Sequence, residues 1–489
     1  MSRHISSTSA GKRPPDAWDR PSLRFLPAAA RPAVTMFPDL LRDPLSFLVK
    51  TARDYGDIAC VSVRPRMYLL SHPEYVKHVL QDNHQNYCKG RQYAFLKVVL
   101  GTGLLAADGE EWRRHRRLVQ PAFNREHHRL LAAAIDDAVS LTLAEWDKQA
   151  DRGDAINVRD SMIALTLDIL MRSLFSTNLG HHAEALHAAF LEADSHIDLA
   201  ASLSPVHIPK WVPTPRNRRF QRAMHKLDGF IYATIHARRL AAHPPGDLLT
   251  LLLHARDEES GAALTDQELR DEVIAVMHGG YEPLSDVLTW TWYSLWQHPT
   301  IAKQVDAELS SVLGGRPPRF DDVPKLRYTA MLLQEVLRLY PPGWAIGRTA
   351  IADDCVGGFD VPAGAFIVLS PYVIQRDARW WDEPEAFDPT RFSPERSQTR
   401  HRLAYFPFAA GPRMCVARDF AMIEGQLIVA AILQRFRLEG AAGPPIRPVA
   451  RYGLEPSTPL MMRIKRRQVA VPPHPRPPRK GIIGATSTY

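Results

Sequence analysis

The sequence predicts a mainly α-helical protein with a small discontinuous β-sheet. Apolar residues recur at helical spacing through long segments, whereas runs with strand-like character are short and few. Between its two ends the chain contains no low-complexity linker and no internal repeat, so we expect one large domain over residues 35–466. The predicted helices cover about 40–55, 110–121, 126–150, 158–176, 218–240, 267–297, 300–313, 326–339 and 417–436.

The predicted strands are short runs of apolar and β-branched residues. The first two, Ile58–Val63 and 67–70, flank a proline-containing turn and predict a hairpin. Two more, Phe366–Leu369 and 460–464, lie late in the chain. Because these runs are so few and so far apart, they can form only a small, interrupted sheet.

Both ends of the chain have a composition that cannot build a core. Residues 1–34 are rich in Pro, Ser and Arg and predict a polar leader, while residues 467–489 predict a basic, Pro-rich, disordered tail. The N-terminus lacks the apolar segment of a secretory signal, and no run approaches the ~20 apolar residues that span a bilayer. We therefore expect a cytoplasmic protein without a membrane anchor.

The charge distribution argues against a nucleic-acid partner. The chain of 489 residues carries a formal net charge of +8, but seven Lys and Arg residues and no acidic residue fall within 463–480. The rest of the chain is therefore nearly neutral. Hydrophobic residues at 45% and charged residues at 23% are ordinary for a globular protein. We expect a monomer that acts on a small-molecule substrate and binds no nucleic acid.

One cysteine lies where its thiol would be activated. Gly411 and Pro412 break the regular structure just before Cys415, and a predicted helix follows directly. Unpaired N–H groups and the positive end of the helix dipole favour the thiolate, and Arg413 adds positive charge. Cys415 is therefore a candidate metal ligand. The remaining cysteines, which are too widely spaced for a CxxC metal pair or a disulfide framework, are Cys60, Cys88 and Cys355.

Residues 408–415 match the pattern F-x-x-G-x-R-x-C. This run resembles the haem-binding loop of the cytochrome P450 family, and further matches follow in the family's order between about residues 40 and 464. The resemblance implies the cytochrome P450 fold over 35–466, a bound haem b, and Cys415 as the axial ligand of its iron, with Phe408 beside the cofactor. Ala409 and Ala417 stand where the family usually has Gly, and we expect the loop to tolerate each added methyl group.

The resemblance extends to the family's E-x-x-R helix and P-x-R-F segment. A spacing of three puts Glu335 and Arg338 on one helical face, and the leucines around them predict that the pair is buried. Arg391 follows in the P-x-R-F segment. The resemblance implies a network of these three side chains that holds the loop behind the haem, in a structural role.

Four side chains resemble those that hold the haem propionates in the family. Trp112 and Arg116 are four residues apart on a predicted helix and share a face, as in the family's W-x-x-x-R motif. Arg348 and Arg413 stand at family positions after the E-x-x-R helix and in the cysteine loop. Arginines and an indole N–H suit propionates, because both form charge-assisted hydrogen bonds to carboxylates.

The candidate substrate contacts come from several segments. Trp344, Ala345 and Ile346 follow the E-x-x-R helix, Tyr281 lies in the long helix, and we expect all four to line the pocket. Family motifs fade around 88–105 and 175–225, so these segments are expected to set the substrate, which we expect to be apolar or a mid-sized natural product. Their apolar candidates are Tyr93, Phe95, Leu96, Leu104, Ile197 and Leu203.

The long helix departs from the family pattern. The family usually shows A-G-x-[D/E]-T over the haem, where this chain has Gly279, Gly280, Tyr281, Glu282 and Pro283. The resemblance makes Gly279, Gly280, Glu282 and Pro283 the catalytic segment, with the acid kept and the alcohol absent. In the family that hydroxyl helps to deliver protons during oxygen activation. Proline cannot donate a proton, and it can bend a helix because it removes a hydrogen bond.

Three functions remain open. The first is a monooxygenase that uses O2 and electrons to hydroxylate or epoxidise its substrate, with water or a substrate hydroxyl as proton relay. The second is oxidative coupling, rearrangement, dehydration or peroxide-driven oxidation. The family's fatty-acid peroxygenases place Arg-Pro at this point, and Glu282 lacks the cation that would hold a carboxylate, which counts against the peroxide branch. The third is a haem-binding protein without turnover.

The resemblance also implies an external electron donor. No flavin or iron–sulfur segment is fused to the domain, so a ferredoxin, a flavodoxin or a reductase is expected to supply electrons. Basic residues near the expected proximal face could attract an acidic donor, although an ordinary solvated face explains them equally well. These residues are Arg113, Arg114, Arg117 and Arg418.

Overall fold

The amphipathic segments of the sequence become helices in the computed structural model, and all the helices predicted from periodicity are present. The structure describes residues 39–467 apart from 41, 64–65, 91–92, 94–95, 177–180, 197–211 and 441–445. The predicted leader over 1–34 lies outside the described residues, as does the predicted tail apart from Arg467.

The main helices are numbered along the chain. They are α1 (Pro44–Tyr55), α2 (Gly109–Val119), α3 (Arg125–Arg152), α4 (Val158–Phe175), α5 (His181–Asp194), α6 (Pro215–Leu240), α7 (Leu248–His254), α8 (Asp266–Gln297), α9 (Pro299–Leu313), α10 (Arg327–Leu339) and α11 (Arg418–Arg435). Shorter helices cover Pro73–Lys77, Lys97–Leu100, Pro371–Ile374 and Pro394–Ser397. Among the described helices, none combines the length and the apolar character that crossing a membrane would require.

The strands form separate small sheets, as expected. The strands are β1 (Ile58–Val63), β2 (Arg66–Leu70), β3 (Tyr87–Cys88), β4 (Ala155–Asn157), β5 (Ile346–Ala350), β6 (Asp354–Val356), β7 (Phe359–Val361), β8 (Phe366–Leu369), β9 (Phe436–Gly440), β10 (Pro448–Ala450), β11 (Leu454–Pro456) and β12 (Met461–Arg466). A five-stranded sheet has the order β1-β2-β8-β5-β3, a three-stranded sheet has the order β4-β12-β9, and β6-β7 and β10-β11 are two-stranded. The predicted hairpin is present, since β1 and β2 pair antiparallel with Ile58 opposite Leu70.

Helix α8 packs against several other helices of the helical region. It starts at a capping box, in which the Glu268 N–H donates to Thr265 Oγ1 and the Thr265 N–H donates to Glu268 Oε2. The helix continues through Pro283 to Gln297 without interruption. Its second half is buried against apolar residues of α4, α10 and α11. A helix enclosed in this way presents fixed side chains to the space on its remaining face.

Candidate active site

A cavity of about 1040 Å³ lies between α8 and the loop before α11. Its walls also include residues of α2, of α4, and of the segment that leads into β5. The cavity therefore collects side chains from segments that are far apart in the sequence. The predicted site residues on its wall are Trp112, Arg116, Gly279, Gly280, Glu282, Pro283, Trp344, Ala345, Ile346, Arg348, Phe408, Arg413 and Cys415.

Cys415 faces this cavity from the loop that leads into α11. The loop is closed by a hydrogen bond from the Cys415 N–H to the Phe408 carbonyl at 3.0 Å. Cys415 is exposed to the cavity, but desolvation by the surrounding protein raises the pKa of its thiol, whereas the backbone at Ala417 and the Arg116 and Arg418 guanidiniums lower it. A metal cation at the thiol would reverse this balance, because a coordinating thiol loses its proton. The sulfur can therefore serve as a ligand to a metal in the cavity.

The backbone of the cysteine loop needs left-handed conformations at two positions. Gly411 has φ +70°, and a Cβ there would lie 1.8 Å from the Leu80 carbonyl oxygen, so only glycine fits. Ala409 also adopts the left-handed region, with φ +61°, where the family usually has Gly. Ala417, the other departure from the family motif, has an ordinary φ of −95°. The two replacements by alanine are therefore not equivalent.

We expect Ala409→Gly to stabilise the protein by about 1 kcal/mol, because glycine adopts the left-handed region without the clash of a Cβ. The midpoint of urea-induced unfolding checks this. Ala417→Gly is the matched control, and its effect should be neutral or destabilising, since the ordinary backbone there gains nothing from glycine. Equal effects of the two substitutions would contradict the assignment of strain to Ala409.

Arginines and a tryptophan form a positively charged wall of the cavity. Arg413 forms an ion pair with Asp108, and its guanidinium lies 4.2 Å from the centre of the Trp112 ring. Arg116 Nη1 donates to the Met414 carbonyl at 2.8 Å, next to the cysteine. Arg348 is buried, with 5% of its surface exposed. The structure thus brings the predicted propionate-binding residues to one wall.

Lys89 belongs to the same wall but was not predicted from the sequence. Its Nζ donates to the carbonyls of Leu104 and Leu105 at 3.1 and 2.6 Å. Desolvation, followed by repulsion from Arg413 and Arg348, lowers the pKa of Lys89 to about 7. Buried cations that repel each other fit a dianionic group, so this wall suits the two carboxylates of a haem. A lone lysine after Cys88 carries no spacing signal that could have identified it.

We expect Lys89→Met to accelerate the loss of haem roughly tenfold or more, because methionine cannot donate the charge-assisted hydrogen bond that the Lys89 ammonium would offer a propionate. Transfer of haem to an apoglobin acceptor, followed by absorbance, measures this rate. Lys97→Met is the control, since Lys97 is exposed and lies off the cavity wall. Equal haem loss from both variants would show that Lys89 does not hold the cofactor.

The predicted structural network lies fully buried behind the cysteine loop. Arg338 binds Glu335 through two hydrogen bonds of 2.7 and 2.8 Å, and Arg391 Nε lies 3.5 Å from Glu335. Arg338 also donates to the carbonyls of Gln375 and Pro384 at 3.0 and 2.6 Å. The network therefore ties α10 to the irregular segment that precedes the loop.

The expectation for Tyr281 was wrong. Its neighbours Gly280 and Glu282 line the cavity, but Tyr281 packs edge-on against Phe190 of α5, with 5.4 Å between the ring centres. Only 3% of its surface is exposed. Successive residues of a helix point about 100° apart, so one position on α8 can face the cavity while the next is enclosed by a neighbouring helix.

Of the other expected pocket residues, some line the cavity and others lie outside the described residues. Tyr93, Leu96 and Leu104 line the cavity. Trp344 also lines it, and its indole N–H donates to the Arg451 carbonyl at 3.0 Å, which fixes the ring. The candidates outside the described residues are Phe95, Ile197 and Leu203.

The arginines expected to attract an electron donor all have acidic partners within the chain. Arg114 bonds Glu268 at 2.5 Å, and Arg117 bonds Asp257 at 2.7 Å. The remaining pairs are Arg113 with Glu110 and Arg418 with Asp419. These pairs reduce the net positive charge of the expected docking face.

The cysteine-lined cavity and its cationic wall have the ligand and the charges that a haem requires, and comparisons with known proteins agree. A family model described as Cytochrome P450 matches residues 28–460. Cyclooctatin synthase of Streptomyces melanosporofaciens is 35% identical over 84% of this chain and 88% of its own length. Pentalenene oxygenase of Streptomyces avermitilis is 32% identical over 86% of this chain and 92% of its own.

Solved structures agree with the family match. The crystal structure of the cytochrome P450DA heme domain superimposes with a TM-score of 0.84 at 25% identity, covering 92% of this chain and 98% of that chain. The chain belongs to the cytochrome P450 family. It is therefore an oxidoreductase with haem b as its cofactor, and the predicted fold and cofactor are confirmed.

Proposed function

We propose that the protein is an O2- and electron-dependent monooxygenase that hydroxylates or epoxidises an apolar, terpene-like small molecule. The observation that carries the proposal is the thiol of Cys415, which faces a large cavity opposite the catalytic segment of α8. In this proposal Cys415 would ligate the haem iron, and Lys89, Trp112, Arg116, Arg348 and Arg413 would hold the propionates. When bound, the haem supplies the redox chemistry that activates oxygen.

The substrate class follows from the lining of the cavity and from the relatives. Leu170, Val276 and Trp344 contribute apolar surface, and Gly279 leaves room beside α8, since a Cβ there would meet nothing within 4 Å. Such a wall binds by excluding water and gives few polar contacts that would orient a hydrophilic molecule. Relatives include proteins named cyclooctatin synthase, cyclooctat-9-en-7-ol 5-monooxygenase and pentalenene oxygenase. We extend the terpenoid class that these names indicate to this chain.

The chain's own residues have defined tasks in this proposal. The Glu335–Arg338–Arg391 network fixes the segment behind the cysteine loop, so that the sulfur stays in one position. Trp344 and Ile346 position the substrate. Glu282, at the cavity wall, holds and releases protons, because Pro283 has no hydroxyl that could do so.

The same absence of an alcohol favours a second candidate. Pro283 lines the cavity at the family's threonine position, and an enzyme that needs no proton delivery would lose nothing there. This candidate is a cytochrome P450 that catalyses oxidative coupling, rearrangement, dehydration or peroxide-driven oxidation. It accounts for Pro283 directly, whereas the monooxygenase proposal needs another proton source.

Turnover with isotopically labelled oxygen separates the two candidates. The haem-loaded protein, with ferredoxin, ferredoxin reductase and NADPH, is offered cyclic terpene hydrocarbons under ¹⁸O2. We expect hydroxylated or epoxidised products that contain one ¹⁸O atom. Products without ¹⁸O, or turnover with hydrogen peroxide but not with O2 and electrons, would favour the second candidate and contradict the first.

A further inference from the structure

Three carboxylates surround one arginine next to the catalytic segment. Arg159, at the start of α4, lies 3.2 Å from Asp286, 3.7 Å from Glu282 and 3.4 Å from Glu455. Glu282 and Asp286 are four residues apart on α8 and so share a helical face. Arg451 reaches Glu455 from the outer side at 3.6 Å and is 70% exposed. We call these five residues the carboxylate cluster.

The cluster contains more negative than positive charge at its buried end. Asp286 has no exposed surface, and its Oδ2 has no hydrogen-bond partner among the described residues. Arg159 cannot neutralise three carboxylates at once, so the arrangement favours a proton on one of them. Burial raises the pKa of Asp286 well above its usual range, repulsion from Glu282 and Glu455 adds to this, and Arg159 opposes it.

The backbone around Asp286 brings its carboxyl close to the neighbouring turn. A Cβ at Gly453 would lie 2.3 Å from Asp286 Oδ2, so this approach requires glycine. The Trp290 indole N–H, one turn further along α8, donates to the Leu454 carbonyl at 2.7 Å and fixes β11 against the helix. The carboxyl is therefore held in place by packing, although one of its oxygens lacks a donor.

The cluster connects solvent to the catalytic segment. Its exposed end is Arg451 with the partly exposed Glu455, both at the rim of the same cavity, and its less exposed end is Glu282, which lines the cavity beside Pro283. Asp286 lies on the same helical face one turn beyond Glu282. The charged groups that face Asp286 are Glu282 on its own helix, Arg159 on α4 and Glu455 on β11.

We propose that Asp286 stores a proton and passes it to Glu282, so that a pair of carboxyl groups replaces the missing alcohol of the catalytic segment. The O–H bond of Asp286 breaks as the O–H bond of Glu282 forms, and Glu282 then releases the proton into the cavity. Asp286 regains a proton from solvent by way of Glu455, and no electron is transferred. Asp286 acts only through Glu282 and is a positioning residue for proton delivery. This inference rests on the proposed monooxygenase function.

The first test needs no turnover. Infrared spectra of haem-loaded wild type at neutral pH should contain the C=O stretch of a protonated carboxyl group that is missing from Asp286→Asn. The assignment comes from the difference between the two proteins, because Glu424, whose pKa burial raises to about 8, contributes a band of its own. Identical spectra of the two proteins would overturn the proposal.

The second test measures how electrons are used. With the substrate found for the wild type, Asp286→Asn should lower product formed per NADPH at least about tenfold, increase the solvent deuterium isotope effect, and lower kcat with little change in KM. Glu455→Gln should change the isotope effect in the same direction. Asp168→Asn is the control, since Asp168 pairs with Arg172 on α4 at 3.0 Å, away from the cavity.

The outcomes distinguish failure of the proton relay from Asp286 to Glu282 from failure of the proposed monooxygenase function. Unchanged product per NADPH and an unchanged isotope effect in folded Asp286→Asn would overturn the relay while leaving the monooxygenase intact. If Asp286→Asn does not fold, an unchanged isotope effect in Glu455→Gln overturns the relay. A wild type that incorporates no ¹⁸O overturns the proposed function and the relay with it, whatever the infrared spectrum shows.

Discussion

Cys415→Ala is expected to abolish the thiolate-type spectrum of the haem completely and with it the proposed O2-dependent turnover. Among the described residues, Cys415 is the one cysteine on the cavity wall, so no other thiol can take its place at the iron. Absorbance of the purified, reduced protein under carbon monoxide checks this. Haem content is measured in parallel, because loss of the sulfur also weakens retention of the cofactor.

The matched controls are Cys60→Ala and Cys88→Ala. Both thiols are engaged elsewhere, with Cys60 Sγ donating to the Ser62 carbonyl at 3.4 Å and Cys88 Sγ donating to the Thr349 carbonyl at 3.6 Å. We expect both variants to retain the thiolate spectrum. If Cys415→Ala kept the thiolate spectrum, or Cys88→Ala lost it, the iron ligand would have to be a residue other than Cys415.

Arg338→Met is expected to lower the free energy of unfolding by about 3–5 kcal/mol or to prevent folding. Arg338 and Glu335 are fully buried, so removal of one charge leaves the other without its closest partner. The substitution also leaves the buried carbonyl of Gln375 and the partly buried carbonyl of Pro384 without their Arg338 donor. Urea unfolding, followed by tryptophan fluorescence, measures the change.

Arg396→Met is the control for the loss of a cationic side chain. Arg396 pairs with Asp388 at 2.6 Å, but 44% of the Arg396 side chain is exposed, so water and salt screen the interaction. We expect a change of at most about 1 kcal/mol. Similar losses of unfolding free energy from both substitutions would show that the buried network stabilises the protein no more than an exposed ion pair does.

The sequence predicted the helical fold well because long amphipathic segments carry a strong periodic signal. Asp266–Gln297 and Arg125–Arg152 are examples, and their bounds agree closely with the prediction. Leu248–His254 was missed because a short run of almost uniformly apolar residues has no period to detect. The strand Tyr87–Cys88 was missed as well, since it contains only two residues and pairs with β5 more than 250 residues away.

The same difference between local and long-range information decides which residues of the candidate site could be predicted from the sequence. The cysteine loop and the E-x-x-R pair are contiguous motifs, so their residues could be named from the sequence. Lys89 and Asp286 could not, because their partners lie on distant segments; Arg159, for example, is 127 residues away from Asp286. The error at Tyr281 arose because the rotation of α8 about its axis depends on tertiary packing, which local spacing does not reveal.

The central claim is a bond between the sulfur of Cys415 and the iron of a haem. The carbon monoxide difference spectrum of the purified, reduced wild-type protein tests it most directly. We predict the strongly red-shifted Soret band that a thiolate-ligated haem would give with carbon monoxide. A folded protein that binds no haem, or one whose Soret band lies where a histidine ligand places it, would contradict the account.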